Sequence, residues 1–173
     1  HSGAPYLAAK YLNKTLVINA GDGLHAHPTQ ALADMFTLAQ HMKTLKDKKI
    51  LIVGDVAHSR VARSNLIALC TLGAKPIICG PPNLIPWDLF QNIHNSSSNP
   101  FKGIQINTNL DQAIVDVDVV MALRLQSERH AKGVLPSLRE YANLWQVTSS
   151  RLAKASPNVL LMHPGPMNIG VEI

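Results

Sequence analysis

The sequence predicts an α/β fold, a doubly wound parallel sheet of about five strands with helices on both faces in a three-layer, Rossmann-like αβα arrangement. Two observations predict it. From Lys49 onward, short aliphatic or β-branched runs alternate with longer amphipathic segments, as in parallel sheets wrapped by helices. The short runs are apolar almost throughout, which is typical of strands that are covered on both faces.

The elements of this sheet can be placed in chain order. Between the first two strands, apolar residues from Val61 to Leu72 recur at helical spacing, and Gly73 stands where a helix C-cap is expected. A surface loop is predicted at 95–100, where serine, asparagine and proline cluster. Strands are predicted at 50–54, 76–80, 103–107, 117–123 and 158–162, and further helices at 86–93, 110–115, 136–144 and 149–154.

The residues before the sheet show a different pattern. Residues 4–12 are predicted to be helical, 16–19 extended, and 28–42 a long helix with Pro28 at its first position. A lone strand at 16–19 needs neighbours that this segment does not supply. We therefore predict that the first forty or so residues are the tail end of another domain.

Composition limits the possible functions. Nearly half of the 173 residues are apolar and the net charge is +5, which indicates a globular protein and is compatible with an anionic substrate. No apolar run is long enough to cross a bilayer, and no secretory leader opens the sequence. Cys70 and Cys79 lie in apolar stretches, so we expect reduced core residues and a cytoplasmic location. Without a basic stripe and stacking aromatics, nucleic-acid binding is not predicted.

The first candidate site is the segment N-A-G-D-G-L-H-A-H-P-T-Q at 19–30. Glycines let a backbone approach a ligand closely, and the helix that follows offers free N–H groups and a positive dipole end to a phosphate or an oxyanion. For His27, the local pattern is equally compatible with a helix-capping or surface histidine. His25 and His27 could bind a metal, but no third ligand accompanies them, so no metal site is predicted.

The second candidate site follows the first strand, in G-D-V-A-H-S-R at 54–60. Ligands of open parallel sheets bind beyond the carboxyl ends of the strands. The spacing is not G-x-G-x-x-G, so a dinucleotide is disfavoured. Arg60 is instead placed to bind a carboxylate with both guanidinium nitrogens, whereas Arg63, one turn further, fits a structural role.

Two more segments end later strands. Arg124 and Gln126 lie two residues apart after the fourth strand, so their side chains point the same way if the chain is still extended there. Glu128 and Arg129 are better explained as an ion pair or as solvated surface. After the fifth strand, H-P-G-P at 163–166 holds the backbone rigid and leaves carbonyl groups free to accept hydrogen bonds.

Together these segments closely resemble the aspartate carbamoyltransferase family. The motifs N-A-G-D-G-x-x-x-H-P-T-Q, G-D-x-x-x-S-R-V-A-R-S-N, L-R-x-Q-x-E-R and H-P-G-P-M-N occur in the family's order across the chain. Ornithine carbamoyltransferases are similar at H-P-T-Q but typically carry S-M-G and H-C-L-P at the later positions, and neither motif is present in the sequence.

The resemblance implies a role for seven residues. His27 would polarise the carbonyl of carbamoyl phosphate and Gln30 would contact its amino group, together with backbone oxygens of Pro164 and Gly165. Arg60 and Arg124 would hold the two carboxylates of L-aspartate, and Gln126 would help to place it. The resemblance implies no metal and no organic cofactor. Residues 1–43 would then close the carbamoyl-phosphate-binding domain, and 44–173 would form the aspartate-binding domain.

The resemblance also marks what the sequence does not contain. It lacks the family's S-T-R-T-R phosphate-binding segment, the arginine that normally precedes His1 and the closing C-terminal helix, so we expect no useful turnover from these residues alone. Relatives form homotrimers whose sites borrow side chains from a neighbour, and regulatory or dihydroorotase partners are possible. Ile169 stands where relatives commonly have arginine. The alternative is a non-catalytic, carbamoyltransferase-like scaffold that binds a partner enzyme.

Overall fold

A computed structural model describes residues 1–88, 101, 103–125 and 137–173. The predicted loop at 95–100, most of the predicted helix at 86–93, and Gln126, Glu128 and Arg129 lie outside the described residues. The described elements are helices α1 (Ala4–Tyr11), α2 (Pro28–His41), α3 (Arg60–Thr71), α4 (Leu110–Ala113), α5 (Leu138–Trp145) and α6 (Ser149–Leu152), and strands β1 (Lys49–Val53), β2 (Lys75–Cys79), β3 (Gln105–Asn107), β4 (Val119–Ala122) and β5 (Leu160–Met162).

The five strands form one parallel sheet in the order β3-β2-β1-β4-β5. The first strand, β1, lies in the middle of the sheet. The chain then runs outward through β2 and β3 and returns to place β4 on the other side of β1. The strand order therefore reverses between β1 and β4. In open α/β sheets a ligand crevice lies at such a point, beyond the carboxyl ends of the strands.

The hydrophobic core lies in two layers, one on each face of the sheet. Alternate residues of β1 enter different layers: Ile50 and Ile52 pack with residues of α2 and α3, whereas Leu51 and Val53 pack with Tyr141 and other residues of α4 and α5. This two-residue alternation is the period of a strand. The three-layer prediction is confirmed, because helices cover both faces of the parallel sheet.

The predicted strands are confirmed, with bounds that differ by at most two residues. The outer strands β3 and β5 are shorter than predicted, because their first residues have no paired partner in the neighbouring strand. Helix α5 begins at Leu138 with Ser137 as its N-cap, which accepts a hydrogen bond from the N–H of Glu140 at 3.2 Å.

The segment before α2 contrasts with the sheet. Residues 16–19 were predicted to be extended and to lack neighbours in this segment; among the described residues they pair with no strand, and Leu16 and Ile18 are 95% and 77% exposed. Helix α1 contains no buried residue. An extended segment becomes a strand only when a neighbour accepts and donates its hydrogen bonds. In the described part of the chain, no helix has the length and apolar character to cross a membrane.

Candidate active site

A cleft of about 150 Å³ opens at the reversal point of the sheet, beyond β1, β4 and β5. Its volume is below the roughly 300–1,000 Å³ of pockets for drug-sized ligands, so it suits a small molecule. Six of the seven residues predicted for the site line it, and Gln126 lies outside the described residues. The cleft is lined by His27, Gln30, Ser59, Arg60, Val61, Arg124, Pro164 and Gly165.

His27 is the N-cap of α2 and also faces the cleft. Its Nδ1 accepts a hydrogen bond from the backbone N–H of Gln30 at 3.2 Å, and its own backbone N–H donates to the hydroxyl of Ser64 at 2.9 Å. The capping and ligand-binding interpretations of His27 are thus compatible with each other. Among the described residues, no group of three potential metal ligands is found.

The protonation state of His27 follows from its surroundings. Burial, and then the nearby Arg60 guanidinium, lower the pKa of His27 below its ordinary value of 6.5. The imidazole is therefore neutral at neutral pH. Because Nδ1 accepts from a backbone N–H, the ring proton lies on Nε2. The Nε2–H of His27 is therefore available as a hydrogen-bond donor to a ligand in the cleft.

Gln30 is oriented by a buried carboxylate one turn along the same helix. Its Nε2 donates to Asp34 Oδ1 at 2.9 Å, and Asn65 Nδ2 of α3 donates to Asp34 Oδ2 at 2.7 Å. A carboxylate can only accept, so the amide nitrogen of Gln30 must point to Asp34. Its carbonyl oxygen is left as the acceptor of the Gln30 side chain.

Arg60 is the first residue of α3, just after β1. Ser59 caps the helix by accepting from the N–H of Ala62 at 3.1 Å, and this fixes the position from which the Arg60 side chain projects. The guanidinium donates to the carbonyl of Gly23 at 3.4 Å. A Cβ at Gly21, whose φ is +140°, would lie 2.9 Å from guanidinium atoms of Arg60. A side chain there would have to displace the end of the flexible Arg60 side chain, and the positive φ itself favours glycine.

Arg124 and the loop at 163–166 form the opposite side of the cleft. Arg124 lies two residues beyond the end of β4, and the backbone N–H of Gly165 donates to His163 Nδ1 at 2.9 Å. Burial is the main cause that lowers the pKa of His163; the Glu172 carboxylate raises it by less, and Arg124 lowers it further. His163 is thus a neutral structural residue that shapes the backbone around Pro164 and Gly165.

The cleft combines two cations with one neutral donor. Of the residues that line it in the described part of the chain, Arg60 and Arg124 are cationic and none is acidic. Two guanidinium groups beside a neutral imidazole suit a small ligand with more than one negative charge. Arginine is the residue that best matches carboxylate and phosphate geometry.

The arrangement agrees with comparisons to known proteins. The sequence model of the Asp/Orn binding domain of aspartate/ornithine carbamoyltransferases matches residues 46–173, and that of their carbamoyl-P binding domain matches residues 1–40. The chain belongs to the aspartate/ornithine carbamoyltransferase family.

Within this family, named relatives are similar over the whole chain. The aspartate carbamoyltransferase catalytic subunit of Roseiflexus sp. (strain RS-1) is 52% identical over 99% of the chain, which covers 52% of that protein. Two solved structures of Trypanosoma cruzi aspartate transcarbamoylase are 25% identical. The complex with phosphate has a TM-score of 0.78 (98% of this chain, 56% of that one), and the complex with aspartate and phosphate has a TM-score of 0.72 (95% and 50%).

Several residues that the sequence did not single out support this carbamoyltransferase-family site. Asp34 orients Gln30, Ser64 holds the backbone of His27, and Glu172 holds the backbone next to Arg124. The i, i+4 spacing of Gln30 and Asp34 could have indicated the first contact. Ile169 is 86% exposed and does not line the cleft.

Proposed function

We propose that this chain is the aspartate-binding part, with the domain-joining helix, of an aspartate carbamoyltransferase. The reaction converts carbamoyl phosphate and L-aspartate into N-carbamoyl-L-aspartate and phosphate. The chain spans about half the length of the curated relatives it matches, so the activity is proposed for the complete protein. The observation that carries the proposal is the convergence of Arg60, Arg124 and neutral His27 on one small cleft.

The proposal divides the chain at residue 43. Residues 1–43 close the carbamoyl-phosphate-binding domain and include the joining helix, and residues 44–173 form the aspartate-binding domain. The ranges matched by the two family models, 1–40 and 46–173, support this boundary. The strands of the sheet all follow this boundary, and α2, the proposed joining helix, packs on the sheet through Met35 and Leu38.

Arg60 and Arg124 bind the two carboxylates of L-aspartate in this proposal, and Gln126 helps to place the substrate. Guanidinium groups bind carboxylates through paired, charge-assisted hydrogen bonds. Two such groups on one cleft without an acidic neighbour in its described lining favour a dicarboxylate over a substrate that carries a cationic side chain. This charge pattern supports aspartate over ornithine.

The other residues bind carbamoyl phosphate. His27 donates from Nε2 to the carbonyl oxygen, Gln30 accepts from the carbamoyl amino group through its amide oxygen, and backbone oxygens of Pro164 and Gly165 accept from the same group. The orientation that Asp34 imposes on the Gln30 amide supports this role. A neutral donor is suitable because it stabilises negative charge as it develops on the oxygen.

The chemical step is an acyl transfer. The neutral amine nitrogen of aspartate forms a bond to the carbamoyl carbon, the bond from that carbon to the phosphate oxygen breaks, and the proton that the amine loses is taken up by the departing phosphate. The residues contribute by orienting two anions side by side, which is worth up to roughly 7–11 kcal/mol in well-oriented systems. Preorganised donors then stabilise the tetrahedral intermediate. No metal or organic cofactor takes part in the proposed reaction.

The relatives support this assignment. The Trypanosoma cruzi enzyme has been solved with aspartate and phosphate, the same pair of ligand types that the cleft suits by charge. By the same resemblance we propose a homotrimeric assembly, a cytoplasmic location and a place in de novo pyrimidine biosynthesis. Attachment of a regulatory or dihydroorotase partner is compatible with it.

Product analysis tests the proposal. The complete protein that contains these residues is supplied with carbamoyl phosphate and either L-aspartate or L-ornithine, and N-carbamoyl-L-aspartate and citrulline are quantified. Formation of N-carbamoyl-L-aspartate alone is expected. Citrulline as the main product would assign the other branch of the family, and the absence of both products would favour the scaffold.

A further inference from the structure

A buried carboxylate lies behind the cleft without lining it. Glu172 is 2% exposed, and burying a carboxylate is costly unless hydrogen bonds compensate it. Its Oε1 accepts from the backbone N–H of Leu125 at 2.7 Å and from Asn168 Nδ2 at 2.6 Å. Its Oε2 accepts from the backbone N–H of Asn168 at 2.6 Å. Three donors therefore converge on one carboxylate.

The first of these contacts replaces a missing strand partner. The N–H of Leu123 still donates to β1, to the carbonyl of Val53 at 2.9 Å. Leu123 and Leu125 then pack in the core layers on opposite faces of the sheet, so the alternation of a strand does not continue through Arg124. The chain leaves the sheet at this point, and Glu172 accepts the N–H that no strand carbonyl takes.

The same carboxylate also lies beside the other side of the cleft. His163 Nε2 is 3.8 Å from Glu172 Oε2, and His163 Nδ1 accepts from the N–H of Gly165. Asn168 Nδ2 additionally approaches the carbonyl of Leu125 at 3.4 Å. Both backbone groups of Leu125 are thus held from the 168–172 turn, directly next to Arg124 in the chain.

We propose that Glu172 and Asn168, the Glu172–Asn168 clamp, are positioning residues that aim Arg124 at the aspartate carboxylate. This inference rests on the proposed function. The clamp touches no substrate; it fixes the backbone from which Arg124 projects. The N–H of Leu125 belongs to the peptide group that joins Leu125 to Arg124, so holding it fixes the direction in which the Arg124 side chain leaves the backbone. This direction matters because bidentate hydrogen bonds tolerate little misalignment.

Glu172→Gln in the complete protein breaks the clamp with little change of volume. The amide has one acceptor oxygen, so one side of it must present an NH₂ group to a donor of Leu125 or Asn168. We expect the KM for aspartate to rise about tenfold, the loss of one charge-assisted hydrogen bond. The KM for carbamoyl phosphate is expected to change by less than about twofold, because in the described part of the chain the carboxylate forms no hydrogen bond with His27 or Gln30, and its 3.8 Å approach to His163 is beyond hydrogen-bond distance.

Asn168→Ala is the second variant, and it carries the test if Glu172→Gln does not fold. It removes the side-chain contacts to Glu172 and Leu125 but retains the backbone N–H. A smaller rise, about threefold in the KM for aspartate, is expected. Binding of succinate, a dicarboxylate without the amine, is measured by calorimetry and should weaken in parallel.

Asp118→Asn is the matched control. Asp118 likewise accepts from a backbone N–H, that of Lys49 at 2.9 Å, and from a side chain, Lys48 Nζ at 2.8 Å. It precedes β4, however, and so lies at the amino ends of the strands, opposite the cleft. The KM of Asp118→Asn for aspartate should equal that of the wild type. The clamp is refuted if folded Glu172→Gln or Asn168→Ala keeps the wild-type KM for aspartate, if both substrates are affected equally, or if the control shifts in the same way.

The two proposals are separated by the wild-type protein. Carbamoyl aspartate formation by the wild type tests the proposed function, whereas the ratio of variant to wild type tests the clamp. A wild type that makes no carbamoyl aspartate overturns both. An active wild type with unaffected clamp variants overturns the clamp alone.

Discussion

The two walls of the cleft hold their side chains by different means. On the helix wall, formed by His27 and Gln30, each side chain is fixed by a neighbour three or four residues away in the chain. On the sheet wall, formed by Arg124, Pro164 and Gly165, the backbone beside Arg124 is fixed by Glu172, 47 residues away. The helix wall is therefore set by local sequence, and the sheet wall depends on the complete fold.

The difference has a functional consequence. In the proposed reaction, the helix wall acts on the carbamoyl group and Arg124 of the sheet wall acts on aspartate. Variants of the helix wall should lower the rate of the chemical step, and variants of Arg124 should weaken the use of aspartate. The predictions below test this separation in order of decreasing effect.

The largest effect is expected from His27→Ala. Removing one donor to a developing oxyanion typically lowers kcat by about 10²–10³-fold, so we expect a loss of this size with a small change in the KM for aspartate. Loss of the N-cap should also destabilise α2 by about 1 kcal/mol. Steady-state kinetics and thermal unfolding of the complete protein measure the two effects.

His27→Asn separates these two roles of His27. Asparagine is a good N-cap, but its short side chain does not reproduce the Nε2 donor. We expect near wild-type thermal stability together with the full loss of kcat. If His27→Asn retained wild-type kcat, the capping role would be sufficient and the polarising role would be wrong.

Arg124→Ala should act on the other substrate. Loss of a bidentate partner for a carboxylate costs about 1.5–3 kcal/mol, which corresponds to roughly 10–150-fold in the use of aspartate. Carbamoyl phosphate binding should change far less. Substrate titrations at saturating levels of the second substrate measure the two constants, and Arg124→Lys, which keeps the charge without the planar fork, should recover only part of the loss.

Arg151→Ala is a suitable control for Arg124→Ala. Arg151 pairs with Asp111 at 3.1 Å and donates to carbonyl groups at the end of α5, away from the cleft. Its removal should lower the thermal stability and leave both substrate constants unchanged. Equal losses of aspartate and carbamoyl phosphate binding in Arg124→Ala would contradict the separation of the two walls.

The same contrast explains what sequence could predict. The alternation of apolar runs was enough for the sheet and its covering helices, because strands covered on both faces have a local signature. The helix-start motif placed His27 and Gln30 for the same reason. The strand order, which brings Arg60 and Arg124 together, rests on contacts between segments more than 60 residues apart.

Supporting residues were harder to predict. Asp34 and Asn65 are ordinary helix residues in sequence, and only the packing of α2 on α3 brings them together at 2.7 Å. Glu172 lies at the end of a turn that contains Gly170, and nothing in the sequence around it indicates a contact with Leu125.

Asp34→Asn should have an intermediate effect. The carboxylate accepts from both Gln30 and Asn65, and an amide must turn its NH₂ group toward one of these donors. Gln30 then loses its fixed orientation, so we expect kcat to fall about tenfold, the effect of one misplaced hydrogen bond. The KM for aspartate should be nearly unchanged.

Asn65→Ala tests which partner of Asp34 matters. It removes the contact from α3 but leaves the one to Gln30, so stability should fall while kcat changes by less than about threefold. The comparison of initial rates and unfolding midpoints for the two variants decides the point. A larger kinetic effect in Asn65→Ala than in Asp34→Asn would show that the packing of the two helices, and not the orientation of Gln30, controls the helix wall.

The smallest effect concerns the pH dependence of His27. Its pKa lies below 6.5 in the folded protein because of burial and the adjacent Arg60, whereas the unfolded chain has the ordinary value of about 6.5. The unfolded state therefore binds more protons between these two values, so the stability that neutral His27 contributes is present above pH 6.5 and is lost as the pH falls through the folded pKa. Protonation also puts a proton on Nδ1, which can then no longer accept from the N–H of Gln30.

We expect the His27 ring signals in an NMR titration to change with a midpoint below pH 6.5. Arg60→Gln should move that midpoint upward, because one of the two causes that lower the pKa of His27 is removed. A midpoint that Arg60→Gln leaves in place would mean that burial alone sets the neutral state, and that Arg60 serves the proposed aspartate carboxylate without tuning the imidazole.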